Sequence, residues 1–120
     1  LIELVMVIVI LGVLAAVAIP KFVDLKGDAV IAATQGVAGG LSSASAVNYA
    51  ARSVKGTSSA ATVAIVNCDS VKSALQGGLP SGYQTDAAVT VAAGVTQSCI
   101  LTNTNVSPNV TASFSAIGIL

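Results

Sequence analysis

From Leu4 to Ile19 the sequence carries no charged, hydroxyl or amide side chain. Glu3 stands immediately before this run and Pro20-Lys21-Phe22 immediately after it. Wound as an α-helix the run is about 24 Å long, and about 28 Å with Leu1 to Glu3 included. A bilayer's hydrocarbon core is ~30 Å thick, so such a helix makes a marginal span. A secretory signal peptide has an apolar core of similar length, but it carries a basic flank before the core and a small-residue cleavage site after it. Here the preceding charge is an acid and the following residue is proline, which favours a retained helix over a cleaved signal.

After Pro20 the pattern becomes mixed. Phe22, Leu25, Ala29, Ala33, Val37, Gly40, Ala44, Val47 and Ala51 recur at steps of three or four, the spacing of an amphipathic helix. Proline inside a helix removes a hydrogen bond and kinks the axis. The spacing therefore predicts one helix over residues 1–52, kinked or locally opened near Pro20. If continuous it would extend about 78 Å, more than a domain of this size can cover, so part of it must find other partners. Gly36, Gly39 and Gly40 allow close approach of a neighbouring backbone. They also weaken a helix by about 1 kcal/mol each, so an earlier helix end near Gly39 stays open.

Residues 53–120 read as a small head. Lys55-Gly56-Thr57-Ser58-Ser59 is a turn or linker. Asp69 is placed to cap a short helix from Ser70 to Gln76, with Gly77-Gly78 ending it. Val89 to Ala92, Ser98 to Thr102 and Thr111 to Ala116 have strand character and are separated by Gly, Asn and Pro. Cys68 and Cys99 are the only cysteines and there is no histidine. Two thiols cannot complete a structural zinc site, which takes four Cys or His ligands. A disulfide follows if the head lies outside the cytoplasm, and two buried free thiols if it does not.

Composition narrows the function. Charged residues are 8% of the 120-residue chain, five basic balancing five acidic, against roughly 25% in an ordinary soluble domain. Without net charge nothing draws the chain to phosphate, so a nucleic-acid site is not expected. The same neutrality leaves self-association unopposed. The lack of histidine removes Ser-His and Cys-His catalysis. Asp24 and Asp28 share a helix face with lysines around them and read as solvated surface. Gly36-Val37-Ala38-Gly39-Gly40 lacks the Lys-Ser/Thr ending of a phosphate loop. No enzyme, metal or cofactor is expected. Asn105-Val106-Ser107 and Asn109-Val110-Thr111 match the N-glycosylation acceptor pattern, a motif short enough to arise by chance.

Glu3 is the residue that composition explains least. A carboxylate carried into hydrocarbon is costly unless paired. One reading leaves it at the interface, favoured by the helix N-terminus. The other pairs it with a cation on another subunit, and since no basic residue precedes Lys21, that cation would be a neighbour's terminal amine.

Leu1-Ile2-Glu3-Leu4-Val5-Met6-Val7-Ile8-Val9-Ile10-Leu11-Gly12-Val13-Leu14-Ala15-Ala16, followed by Ala18-Ile19-Pro20, resembles the N-terminal segment of type IV pilins and type II secretion pseudopilins. The likeness is dense over roughly the first 25 residues. Pro20-Lys21-Phe22-Val23-Asp24-Leu25 and Thr34-Gln35-Gly36 resemble mannose-sensitive haemagglutinin-type pilins more locally. Mature chains of the family normally carry an aromatic residue and a Thr or Ser before Leu-Ile-Glu, residues this sequence does not include.

The resemblance implies an α+β fold, with a long N-terminal helix and a small C-terminal antiparallel sheet head. It implies a precursor held in the inner membrane, processed by a prepilin peptidase and polymerised by the pilus assembly machinery into an extracellular helical filament. Glu3 matches the glutamate that meets a neighbouring subunit's terminal amine. Gly12 and Pro20 match the bounds of a helical stretch that often melts on assembly, and Cys68 and Cys99 match the C-terminal disulfide. The expected function is therefore structural, a homopolymer for adhesion, motility or DNA uptake. The alternative is a pseudopilin in a periplasmic pseudopilus. Its major members often bind calcium through clustered acids, where this head offers Asp69 and Asp86.

Overall fold

The computed structural model describes residues 1–120 apart from the side chains of residues 20–24. Helix α1 spans Ile2–Lys55, and three strands follow: β1 Tyr83–Thr85, β2 Thr96–Asn103 and β3 Val110–Ile117. They form one antiparallel sheet in the order β1-β2-β3. This is the expected α+β layout, a long helix followed by a small antiparallel sheet. The chain divides into two compact units, Leu1–Val30 and Ile31–Leu120. The kink or opening expected at Pro20 lies outside the described residues.

The helix ends three residues past Arg52. Gly56 takes φ 77 and donates its N–H to the Arg52 carbonyl at 2.8 Å. A left-handed residue after the last turn satisfies a carbonyl that the helix cannot, and glycine adopts that conformation without a Cβ clash. Arg52 and Lys55 in the last turn oppose the negative end of the dipole.

Within Ile31–Leu120 the helix contacts the head along Thr34, Ala38, Leu41, Ser45, Asn48 and Arg52, all buried. The apolar spacing had pointed one residue earlier along the helix. Of that stripe Val37, Gly40, Ala44 and Ala51 only flank the seam, while Ala33 and Val47 are exposed. The displacement has a chemical cause, because most of the seam is polar and bonds to the backbone of the head. Ser42 Oγ donates to the Ala38 carbonyl and accepts the Ser115 N–H at 3.0 Å. Ser45 Oγ accepts the Ile117 N–H at 2.8 Å. Asn48 makes a reciprocal pair with Val63, donating to its carbonyl and accepting its N–H, both at 2.9 Å. The Arg52 guanidinium donates to the Leu120 backbone oxygen at 2.9 Å and to the Thr62 hydroxyl at 3.1 Å. Asn103 Nδ2 reaches Thr34 Oγ1 at 3.2 Å.

The apolar core is small. Leu101, Phe114 and Ala116 come from the inner face of the sheet, Ala38 and Leu41 from the helix, and Ile65, Val71 and Val91 from the connecting segments. Cys68 and Cys99 lie among them and are disulfide-bonded, with Cα atoms 5.7 Å apart. The bond ties the start of a 3-10 helix, Cys68–Ser73, to the middle of β2. Asn67 caps this helix by accepting the Ser70 N–H, in place of the expected Asp69. Asp69 sits in the first turn instead, accepting from the Thr85 hydroxyl at 2.7 Å and pairing with Lys72 at 2.6 Å. The helix stops at Ser73 rather than Gln76, ahead of Gly77 and Gly78 at φ 86 and 75.

The strands expected at Ser98 to Thr102 and Thr111 to Ala116 form, each longer by one to several residues at its ends. Val89 to Ala92 forms no strand. It makes a single bridge, Asn67↔Thr90, flanked by Cys68 N–H to Val89 carbonyl and Val91 N–H to Val66 carbonyl. Its partner segment turns into the 3-10 helix at Cys68, so the ladder cannot lengthen. The third strand is instead Tyr83–Thr85, too short for alternation to announce it.

Gly118 is buried where β3 ends, and an added Cβ there would collide with the Ala92 carbonyl. Gly118→Ala should therefore destabilise the head by about 1–3 kcal/mol through backbone displacement, read as a lowered denaturant midpoint with unchanged slope. The disulfide closes a separation of 31 residues. Replacing both cysteines with alanine should cost about 3–4 kcal/mol by loop-closure entropy, and a loss under ~1 kcal/mol in calorimetry would contradict that estimate.

Candidate assembly surface

In the unit Leu1–Val30 the helix presents apolar side chains on every side. From Ile2 to Ile19 each large apolar side chain is between 52% and 77% exposed. Ile2–Ile19 is long and apolar enough to cross a membrane by length and composition. A helix apolar all round belongs in a core or in lipid. Nothing in its own unit covers it, so the surface that completes it must come from lipid or from other molecules. Fully burying a large aliphatic side chain contributes about 1.5–3 kcal/mol. Over the exposed Val, Ile, Leu and Met side chains the total is on the order of 15–20 kcal/mol before ordering costs.

Glu3 lies in the first turn and is exposed. Its carboxylate is placed where the unsatisfied N–H groups of the helix start favour negative charge. Among the described residues the only ion pair is Lys72 with Asp69, so Glu3 has no cationic partner among them. Gly12 is helical, and a Cβ added there would meet nothing within 4 Å. Its small size leaves a notch between the larger side chains of Leu11 and Val13. The role expected for Pro20 lies outside the described residues. Glu3 and Gly12 are thus carried by the exposed helix, whereas Cys68 and Cys99 serve the head from within its core.

The head offers little that reads as a reaction centre. Among the described residues no group of three or more His, Cys, Asp or Glu converges. One shallow recess, about 150 Å³, is lined mainly by Ala44, Val47, Ala51, Ala61 and Ala74. A second, about 280 Å³, lies against Gln84, Asp86, Ile100 and Thr102. Neither joins a nucleophile to a base. The hydrogen bonds from Lys72 and then Thr85 hold the Asp69 carboxyl below its ordinary range, which fits a structural ion pair rather than an acid poised to give up a proton.

The importance of the Leu4–Ile19 run was legible in sequence. Less so was that, beside Leu25 and Ile31, Val47 and Val54 of the helix are 69% and 87% exposed. Their spacing of seven places them on one face, and the polar seam takes the side that hydropathy would have given them.

A lysine at Ile10 should weaken partition of the chain into lipid vesicles by about 2.5–3.5 kcal/mol. The head's unfolding midpoint should not change, since Ile10 belongs to the other unit. Unaltered vesicle partition would show that this helix is not the apolar anchor. No protein-family model, curated protein or solved structure matches the chain.

Proposed function

We propose that the chain is the repeating subunit of an extracellular filament of the type IV pilus kind, anchored in the inner membrane by Ile2–Ile19 before assembly. The observation that supports this most is the contrast between the two parts of α1. Its C-terminal part is finished by a disulfide-bonded head and a hydrogen-bonded seam. Its N-terminal part has a full apolar surface and no partner in its own unit. Copies of the chain supply that partner to one another.

In water the bundled helices are stabilised by burial. In lipid the same surface is already satisfied, so the hydrophobic gain disappears. Moving the subunit from membrane to filament therefore needs external work, which the pilus assembly machinery provides. Glu3 gives the bundle register. Buried among apolar helices, its carboxylate is tolerated only where a neighbour's terminal amine meets it, and a subunit displaced along the axis leaves both charges unpaired. The nearly uncharged composition places no net repulsion between stacked copies.

Electron cryo-microscopy of material sheared from cells, identified by mass spectrometry, tests the proposal. Helical fibres built from this chain are expected. A chain confined to the membrane fraction without fibres would favour the pseudopilus reading or a monomeric anchored module. Glu3→Ala should leave the head's unfolding midpoint unchanged and reduce fibre yield at least tenfold; wild-type yield from that variant would remove the pairing role.

A further inference from the structure

Both asparagines of the two acceptor motifs near the end of β2 are exposed, but the fold ties one into hydrogen bonds and leaves the other without them. Asn105 is held in place: its side-chain amide donates to the Ser81 carbonyl at 3.1 Å, and its backbone N–H donates to Asn103 Oδ1 at 3.0 Å. Its side chain also packs so tightly over Gly82 that a Cβ there would overlap it. The preceding residue fixes the same turn, since Thr104 bonds the Gly82 carbonyl through both N–H and hydroxyl. Asn109 is exposed as well, but it lies between β2 and β3 outside either strand and makes no hydrogen bond among the described residues. The hydroxyl residue of its motif, Thr111, is also exposed, at the start of β3.

We infer that Asn109 is an N-glycosylation site, modified from a lipid-diphosphate-linked saccharide once the head has been exported. This rests on the export that the filament reading requires. In the transfer the Asn109 amide nitrogen attacks the anomeric carbon of the donor. The N–C bond forms as the C–O bond to the diphosphate breaks. The lipid diphosphate leaves with the bonding pair, and the amide proton passes to a base of the transferase. The substitution disturbs no hydrogen bond of the head, because Asn109 makes none. The benefit is physical: with 8% charged residues and no net charge the chain has little electrostatic protection against non-specific association. A bulky hydrated saccharide on a surface loop supplies that protection without introducing charge.

The test is peptide mass spectrometry, with fragmentation that preserves glycans, on full-length chain purified from cells that produce it. Wild type is compared with Asn109→Gln, Asn105→Gln and Thr111→Val. A saccharide mass is expected on Asn109 in wild type and in Asn105→Gln. It should be absent from Asn109→Gln, and also from Thr111→Val, which keeps the asparagine but removes the hydroxyl. Bare Asn109 in the wild-type chain, or a saccharide that persists in Asn109→Gln at Asn105, overturns the assignment. Fibre yield is scored in the same preparations. Fibres with bare Asn109 remove the glycan and leave the filament proposal standing, whereas glycosylated chain without fibres does the reverse.

Discussion

The head depends on hydrogen bonds that the helix makes to its backbone. Ser42, Ser45, Asn48 and Arg52 occupy positions where a helix normally places aliphatic side chains, and each bonds main-chain groups of the segments around it. Two of these bonds go to Ser115 and Ile117 on the outer strand β3, whose edge would otherwise present unpaired N–H groups. An uncovered edge is a template for pairing with another chain. Covering it with helix hydroxyls removes part of that template. The reciprocal Asn48–Val63 pair does for an irregular segment what a neighbouring strand does in a ladder. Ser45, Asn48 and Arg52 are buried, so leaving them unbonded would cost about 1–3 kcal/mol each, and no buried side-chain polar atom among the described residues lacks a partner.

This arrangement compensates for what composition withholds. The segments between Gly56 and Tyr83 and between Asp86 and Val95 hold little regular structure beyond the 3-10 helix, and the apolar core is short of large side chains. Burial alone cannot fix such segments. They are pinned at discrete points: Cys68 to Cys99, the Ile65 and Ile119 backbones to each other, Val63 to Asn48, and Thr62 to Arg52. Arg52 illustrates the economy. It is a buried guanidinium whose donors meet a hydroxyl and backbone oxygens, which avoids the need for a carboxylate in a chain that has few. The planar fork of arginine suits this role, and lysine could not reproduce it.

What the sequence revealed and what it concealed follow from the same physics. The Leu4–Ile19 helix was legible because apolarity there has no competing explanation. β2 and β3 were legible because strand-favouring residues run between Gly, Asn and Pro, although only the fold shows the alternating burial of each strand. The helix seam was misplaced by one residue because hydropathy assigns Thr34, Ser45, Asn48 and Arg52 to solvent, whereas they bond backbone that periodicity cannot see. The strand expected at Val89 to Ala92 has suitable residues but only one residue of partner. β1 was missed because three residues carry no usable period. Of the expected site residues, Glu3 and Gly12 lie where the helix is uncovered, and the cysteines are bonded as the extracellular alternative required.

Apolar surface is thus divided along a single helix by chemistry rather than by quantity. From Thr34 to Arg52 the contact residues are Thr, Ala, Leu, Ser, Asn and Arg, each chosen for a particular backbone partner or a close fit. Such a contact is specific and can be made by only one surface. From Leu4 to Ile19 the residues are Val, Ile, Leu and Ala with one Met and one Gly, and no polar side chain to direct a partner. That surface has no group that would distinguish lipid from another apolar helix, and the proposed passage of a subunit from membrane to filament would use this indifference. Direction is then confined to the ends of the run. A single carboxylate at Glu3 can discriminate among axial positions because sixteen neutral residues after it cannot.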